Sequence, residues 1–317
     1  MKKFKVIIDT DPGVDDTNAH SFILNDPRFD IKLLTVSWGN VSLKNATRNM
    51  CHLLDLFNKD IPVVVGYDKR FGYNVEDATY IHGIEGLGGY IPPKTTKHKP
   101  IKNIEAADAI YEVLKKYPKQ ITLIVLGPHT TVANLLIKHP DAKDLIKNIL
   151  MMGGSPNGIA LDPNYCSFNI RTDAPAFKRT VDSQIPVSLI PSRIGRERGH
   201  FTEEQVDIIS KTNDIGKFLN IVYQTYWEPG YPDKRIATND ISAIYFLLHP
   251  RIYKYRRARV EVDTEKYIGK ITVHEDKHGP FKVVDDMNRE KFIKIIFKDL
   301  KKLSKIKLKY KQPKKQA

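Results

Sequence analysis

Short apolar runs alternate with amphipathic stretches along most of this chain. Residues 4–8, 31–38 and 121–126 are rich in Ile, Val and Leu, as is typical of buried strands. Between such runs, apolar side chains recur at helical spacing, and this periodicity predicts helices over residues 42–58 and 103–116. The pattern therefore alternates strand and helix from near the first residue onward.

The second half of the chain continues the pattern with some changes. Residues 257–262 and 268–274 alternate like half-exposed strands and predict a small antiparallel edge. The remaining predicted elements are strands over residues 62–66, 148–152 and 186–190, helices between 202 and 248 with a break at 229–232, and a closing helix over 289–303. We expect a single α/β domain with a mostly parallel, Rossmann-like central sheet that helices cover on both faces.

Four carboxylates follow the first predicted strand within eight residues. Asp9 and Asp11 lie two positions apart, so an extended backbone points both side chains to one face. Pro12 and Gly13 then turn the chain, and Asp15 and Asp16 stand at the start of a helix, where acidic residues suit the positive end of the dipole. So many neighbouring carboxylates repel one another unless protons or a cation intervene. Ca²⁺ accepts crowded oxygen ligands more readily than Mg²⁺ does. This stretch predicts a metal site.

Composition narrows the class of protein further. The chain has 317 residues, 41% of them hydrophobic, which is enough for a substantial core. No apolar run approaches the roughly 18 residues of a membrane span, and the first strand begins at once, which leaves no room for a signal peptide. Cys51 and Cys166 are too few for a disulfide framework. We expect a cytoplasmic protein without membrane partners.

The net charge of +14 raises the question of nucleic-acid binding. Residues 301–317 hold eight lysines and no acid, so more than half of this charge lies at the C-terminus. A terminal lysine run is typical of a solubilising tail. We expect an α/β domain over residues 1–302 and a basic, disordered tail over 303–317, with no more than weak, salt-sensitive contact with nucleic acid.

The residues 9–16, Asp-Thr-Asp-Pro-Gly-Val-Asp-Asp, resemble the signature of the inosine-uridine preferring nucleoside hydrolases. Members of that family are calcium-dependent and cut the N-glycosidic bond of ribonucleosides. Further short motifs recur in the family's order: Trp38-Gly39-Asn40, Ile81-His82-Gly83, Gly86-Leu87-Gly88, Leu126-Gly127-Pro128, Met152-Gly153-Gly154, Phe168-Asn169 and Asn239-Asp240. The resemblance spans residues 5–250 and implies a homodimer or homotetramer that binds a small ribonucleoside.

The resemblance also implies roles for individual residues. Asp11 corresponds to the carboxylate that takes a proton from the attacking water and contacts calcium. The other implied metal ligands are Asp9 in a supporting position, Asp16, the carbonyl of Leu126, and Asp240. Positions that contact the substrate are Asp15, Asn40, Met152, Asn169, Trp227 and Asn239.

This chain departs from the family's pattern mostly at positions that bind or activate the leaving base. Asn239 stands where many members have His, and an amide does not titrate, so it cannot act as an acid at neutral pH. Ser167 replaces a common Glu, and Arg193 stands in a segment that usually carries Asp. His82 is our candidate for activation of the leaving group. The aromatic residues that could stack on a base are Trp38, Tyr223, Tyr226 and Trp227.

Three other functions stay open on the sequence alone. Residues 8–11 resemble the start of a haloacid-dehalogenase-type phosphatase, although Gly13 stands where that motif has a hydroxyl-bearing or β-branched residue. Ser167 and Asn239 are also compatible with a relative that binds ribosyl compounds without turnover. A third alternative places the function in the lysine-rich tail, as an RNA-associated protein.

Overall fold

The computed structural model describes residues 3–71, 76–156, 158–159, 161–162, 164–228 and 230–310. The strands are β1 Phe4–Thr10, β2 Phe29–Val36, β3 Val63–Val65, β4 Thr122–Val125, β5 Asn148–Met152, β6 Val187–Ile190, β7 Phe201–Thr202, β8 Arg235–Ile236, β9 Tyr253–Val262, β10 Ile271–Glu275 and β11 Phe281–Met287. The helices are α1 Val14–Ile23, α2 Leu43–Phe57, α3 Thr79–His82, α4 Ala106–Lys116, α5 Thr130–Lys138, α6 Ala142–Leu145, α7 Phe168–Thr172, α8 Ala174–Asp182, α9 Glu203–Thr212, α10 Asp214–Tyr223, α11 Asn239–Leu248 and α12 Arg289–Lys302, with a π-helix at Ile194–Arg198.

Among the described residues, nine strands form one sheet in the order β10-β9-β11-β6-β5-β4-β1-β2-β3. From β11 to β3 all neighbours pair in parallel, while β9 and β10 add an antiparallel edge. The predicted fold class is confirmed, including the edge pair. Strand β11 was not predicted, and the edge pair joins the parallel strands through it. The order reverses direction beside β1, which makes the carboxyl ends of β1 and β4 the switch point of the sheet.

Alternate residues of the central strands belong to two different apolar cores. Val6 and Ile8 face the core beneath α1, α2 and the helices of the C-terminal half. Ile7 and Leu123 face the core beneath α4, α5 and α8. Because both faces are covered, the strands are apolar throughout, as parallel strands usually are.

Helix α1 is enclosed by protein on every side. All ten of its residues are buried, including Asp15, Asp16 and His20. A surface helix would place its polar residues toward solvent. Polar residues in so enclosed a helix must instead serve contacts inside the molecule, and the acidic pair at its start faces the switch point.

The last described residues pack against the domain. Leu303, Ile306, Leu308 and Tyr310 contact the larger apolar core, and the Tyr310 ring lies 5.9 Å from that of Tyr90 and 5.5 Å from that of Phe218. This part of the predicted tail is therefore held by apolar contacts. Residues 311–317 of that tail lie outside the described residues. In the part of the chain that the structure describes, no helix has the length and apolar character needed to span a membrane.

Candidate active site

The polar residues of the predicted site gather at the switch point of the sheet. Asp9 lies in β1 and Asp11 directly after it. Asn40 follows β2, Leu126 follows β4, and Met152 ends β5. Since β2, β1, β4 and β5 are adjacent and parallel, their carboxyl ends bring these residues to one edge.

Three carboxylates approach one another closely enough to share a cation. Ligand atoms of Asp15, Asp16 and Asp240 all lie within 4.8 Å of one another, and all three residues are buried. Both oxygens of Asp240 and Oδ1 of Asp15 have no hydrogen-bond partner among the described residues. Unpaired buried carboxylate oxygens are costly, so this group is an acidic cluster that could hold a metal ion. The cluster joins α1 to the start of α11, more than 220 positions later in the sequence.

Asp11 sits in a narrow cradle made by two glycines. A Cβ added at Gly39 would lie 1.9 Å from Oδ2 of Asp11, and one at Gly127 would lie 2.7 Å from Oδ1. The backbone N–H of Asn40 donates to Oδ2 over 2.8 Å, which leaves Oδ1 without a partner among the described residues. Burial first, and then the charge of Asp16, raises the pKa of Asp11 well above its usual value.

Asp16 and Asp9 receive hydrogen bonds from neighbouring elements. Oδ2 of Asp16 accepts from the side chain of Asn40 at 2.9 Å and from the N–H of Gly13 at 3.1 Å. Oδ1 of Asp9 accepts from the hydroxyl of Thr35 at 2.6 Å. Burial raises the pKa of Asp16 to about 6 and that of Asp9 to about 7. A nearby cation would oppose these shifts, because it favours the ionised form.

A cavity of about 240 Å³ opens beside the acidic cluster. All six predicted substrate contacts line it: Asp15, Asn40, Met152, Asn169, Trp227 and Asn239. The side-chain amide of Asn169 donates to the carbonyls of Leu126 and Met152, and that of Asn239 donates to Asp15 over 3.2 Å. These bonds hold polar groups in fixed positions around the cavity.

His82 lines the same cavity and has a defined tautomer. Its Nδ1 accepts the backbone N–H of Val14 over 3.1 Å, so the ring proton is on Nε2. Nδ1 also lies 3.9 Å from Asp15, and the ring packs on Tyr226 with centroids 5.2 Å apart. Burial lowers the pKa of His82, so the ring stays neutral at pH 7 and presents an N–H donor.

The aromatic candidates do not all reach the cavity. Tyr226 and Trp227 line it, whereas Trp38 and Tyr223 are not among its lining residues. Tyr223 is buried in the apolar core, and Trp38 packs between Phe168 and the guanidinium of Arg70. The suggestion that Tyr223 could stack on a base is therefore wrong.

Several lining residues were not predicted from the sequence, among them Tyr165, Arg196 and Glu228. Arg193 was the arginine marked by its position in the chain, but its guanidinium donates to the carbonyl of Asp285 and it does not line the cavity. Arg196 instead lines the cavity, because residues 194–198 form a π-helix. The sequence signal was an Arg-Ile-Gly-Arg-Glu-Arg run in that segment, which on its own does not tell which arginine turns inward.

The fold and the site together define an α/β protein with a cavity at the switch point of a parallel sheet, next to a buried acidic cluster. A family model described as inosine-uridine preferring nucleoside hydrolase matches residues 6–294. The chain belongs to this family, whose members are hydrolases that act on N-glycosyl bonds.

Similarity to individual proteins agrees with this assignment. The chain is 30% identical over 263 residues to the non-specific ribonucleoside hydrolase RihC of Escherichia coli O127:H6, covering 83% of this chain and 85% of that protein. A plant nucleoside hydrolase structure superposes with a TM-score of 0.86 at 26% identity, covering 94% of this chain and 98% of its own. The structure of a purine-preferring ribonucleoside hydrolase from Gardnerella vaginalis also superposes with a TM-score of 0.86, at 25% identity, covering 96% of this chain and 100% of its own. The phosphatase alternative is thereby removed.

Proposed function

We propose that this protein hydrolyses the N-glycosidic bond of ribonucleosides in a calcium-dependent reaction that releases ribose and a free base. The observation that carries the proposal is the buried cluster of Asp15, Asp16 and Asp240 beside a cavity lined by amide groups. Carboxylates stabilise positive charge, and the ribosyl ring becomes oxocarbenium-like as the bond to the base breaks. Amides and carboxylates also suit the hydroxyls of ribose.

The residues present fit a hard cation with oxygen ligands. The buried carboxylate oxygens without a partner among the described residues are Oδ2 of Asp9, Oδ1 of Asp11, Oδ1 of Asp15 and both oxygens of Asp240. In our proposal Asp11, Asp16, Asp240 and the carbonyl of Leu126 hold Ca²⁺, with Asp9 in support, and Asp15, the third member of the acidic cluster, binds ribose instead. Ca²⁺ takes six to eight oxygen ligands in flexible geometry, which suits such a crowded set. When bound, the ion supplies positive charge that favours ionised carboxylates and polarises water and sugar hydroxyls.

Asp11 is the general base in this proposal. Its Oδ1 has no partner among the described residues and can accept the proton of an attacking water. The water oxygen forms a bond to C1′ of ribose, the bond from C1′ to the base nitrogen breaks, and the base leaves with that electron pair. Asp15, Asn40 and Asn169 hold the ribose hydroxyls, and Met152 contacts the sugar. A site built for such hydroxyls rejects analogues that lack one, because its own polar groups are then left unpaired.

His82 and Asn239 act near the leaving base. The N–H on Nε2 of His82 is a neutral donor, and the amide of Asn239, fixed on Asp15, adds a polar group that cannot transfer a proton. Trp227 provides an apolar face in the same wall. We further propose that the enzyme acts in the cytoplasm as a homodimer or homotetramer.

The decisive experiment measures ribose release from inosine, adenosine, guanosine, uridine and cytidine, with added Ca²⁺ and with chelator. Release that the chelator abolishes and Ca²⁺ restores supports the proposal. Binding of ribose in the presence of Ca²⁺ without release from any nucleoside would instead support the alternative of a non-catalytic relative. Deletion of the lysine-rich residues 301–317 tests the remaining alternative, and unchanged turnover would remove it.

A further inference from the structure

A buried ion pair forms part of the cavity wall. One terminal nitrogen of Arg196 donates to Glu228, and the other donates to the hydroxyl of Tyr165 over 3.2 Å. The side chains of Arg196 and Glu228 are only 15% and 8% exposed. The guanidinium also lies over the Tyr165 ring, 5.1 Å from its centroid. All three residues line the cavity beside the acidic cluster.

The backbone places Arg196 next to the polar start of α11. A π-helix contains an extra residue in its turn and is frequent at functional sites. Here it includes Gly195, where an added Cβ would lie 2.6 Å from the backbone N and Cα of Asn239. The N–H of Thr238 donates to the carbonyl of Gly195 over 3.3 Å. This close approach brings the arginine that follows Gly195 into the cavity wall beside Asn239.

The guanidinium retains an unused donor. Nε of Arg196 is buried and has no hydrogen-bond partner among the residues that the structure describes. Leaving a buried charged donor unpaired is costly. Because Arg196 lines the cavity, its guanidinium can donate to a ligand there, with the carboxylate of Glu228 directly beside it.

We propose that Arg196 and Glu228 recognise the leaving base by an edge on which a carbonyl oxygen stands next to a ring N–H. This inference rests on the proposed function and names the residues that read the base. Arginine donates to the carbonyl oxygen, and the carboxylate of Glu228 accepts from the ring N–H. Hypoxanthine, guanine and uracil carry such an edge. Adenine and cytosine carry an amino donor next to a bare ring nitrogen, so each contact would face a group of the wrong kind.

The same contact assists departure of the base. Electron density that spreads onto the base as its bond to C1′ breaks includes the carbonyl oxygen, and a guanidinium donor stabilises that density. No proton passes from Arg196, because its pKa is too high. The base takes its proton from solvent water. Stabilisation of the base by Arg196 thus replaces a proton donor, a role that Asn239 cannot fill.

The experiment compares kcat/KM for two matched pairs, inosine with adenosine and uridine with cytidine. In Arg196→Gln we expect kcat/KM for inosine to fall by about 10- to 100-fold, with a much smaller change for adenosine. In Glu228→Gln the new amide can donate to a bare ring nitrogen, so the inosine-to-adenosine ratio should fall mainly through a gain for adenosine. The control is Arg198→Gln, which removes a half-exposed arginine of the same π-helix that pairs with Asp286 and does not line the cavity.

If Arg196 and Glu228 had only a structural role, their replacement would lower kcat/KM for all four substrates together. Equal losses for all substrates in both variants, with an unchanged ratio, would overturn the inference. Competition between free hypoxanthine and free adenine for the site gives a second readout that needs no turnover, and Arg196→Gln and Glu228→Gln, but not Arg198→Gln, should weaken the preference of the site for hypoxanthine. If the unaltered enzyme releases no ribose from any nucleoside, the proposed function itself fails, and that result is distinct from an unchanged ratio in an active enzyme.

Discussion

His82 caps the helix that carries the acidic pair: the backbone N–H of Val14 donates to its Nδ1 over 3.1 Å. Val14 is the first residue of α1, and His82 ends the short helix α3 in a glycine-rich loop. The first N–H groups of a helix have no partner within the helix. A loop residue thus completes α1 and is fixed by it, with Nε2–H left for the cavity.

We expect His82→Ala to reduce both stability and turnover. The buried N–H of Val14 loses its acceptor, which costs about 1–2 kcal/mol of unfolding free energy. Urea denaturation and kcat for the best nucleoside measure the two effects. His278→Ala, in an exposed turn, is the matched control and should stay within about 0.5 kcal/mol of the parent. A loss of turnover without any loss of stability would contradict the capping role.

We expect Gly39→Ala to lower the free energy of unfolding, mainly because the added Cβ would collide with the Asp11 carboxylate. The new Cβ would lie 1.9 Å from Oδ2, so the carboxylate must move, at a cost of about 1–3 kcal/mol. In an Asp11→Ala background the nearest remaining atom is Cβ of residue 11, at 3.0 Å, so the same change should cost clearly less. A double-mutant cycle of unfolding free energies measures this coupling. Additive effects would show that the glycine is needed for another reason.

We expect Asp11→Asn to remove turnover while the protein stays folded. The amide cannot take the proton of water, and loss of a general base lowers kcat by about 10²–10⁴-fold. Removing one negative charge from a crowded buried group should leave thermal stability in chelator equal or higher. Asp30→Asn, a β2 residue that pairs with Lys32, serves as the control for charge removal. Near-normal kcat in Asp11→Asn would refute the role given to Asp11.

Metal removal should destabilise the fold. A ligand bound by the native state alone adds RT ln(1 + [L]/Kd), which is about 2.7 kcal/mol at 100-fold excess over Kd. We expect the melting temperature to rise with Ca²⁺ concentration and to fall in chelator. Asp240→Asn should abolish this dependence because it removes a charge from the cluster. Glu261→Gln, at an exposed position of β9, should retain it. A melting temperature independent of Ca²⁺ in the parent would argue against the metal site.

His129 should make the protein less stable in mild acid. Its Nδ1 lies 3.0 Å from the hydroxyl of Thr180, and burial lowers its pKa from 6.5 to about 3. As the pH falls below 6.5 the unfolded chain takes up this proton first. The contribution of the neutral His129 ring to the free energy of unfolding is therefore complete above pH 6.5 and is lost progressively toward pH 3. It amounts to about 2 kcal/mol between pH 7.5 and pH 5.

The variant His129→Gln isolates that contribution. Other titrating groups are shared by parent and variant, so the difference between their unfolding free energies should shrink by about 2 kcal/mol from pH 7.5 to pH 5. Denaturant titrations at both pH values provide the measurement. A difference that does not depend on pH would mean that His129 has the same pKa in the folded and the unfolded chain, which would contradict the effect of burial.

Local sequence was sufficient for the parallel sheet and for much of the site. The apolar runs and the helical periodicity depend on residues close in sequence, and the acidic stretch after β1 lies within eight residues. The grouping of Asp11, Asn40 and Leu126 came from the family resemblance, and it agrees with the rule that parallel strands end at the same edge of a sheet. The boundaries shifted by a few residues: β2 ends at Val36, which frees Gly39 to approach Asp11.

Features that depend on distant segments could not be predicted in this way. Strand β11 is defined by its pairing with β6 and β9. Arg196 reaches the cavity through an inserted residue in a helical turn, and no period in the sequence marks such an insertion. Likewise, the approach of Asp240 to Asp15 and Asp16 joins segments more than 220 positions apart. Packing between such segments determines their geometry.

The ring contact between Tyr310 and Tyr90 joins the end of the described chain to the glycine-rich loop that follows His82. Tyr90 also stacks on His52 of α2, so three segments share one aromatic cluster. Local opening of any one segment exposes the rings of the others. Amide hydrogens of the loop and of residues 303–310 should therefore exchange with solvent as one cooperative unit. A protease that trims the chain before Tyr310 would then loosen the loop that carries His82.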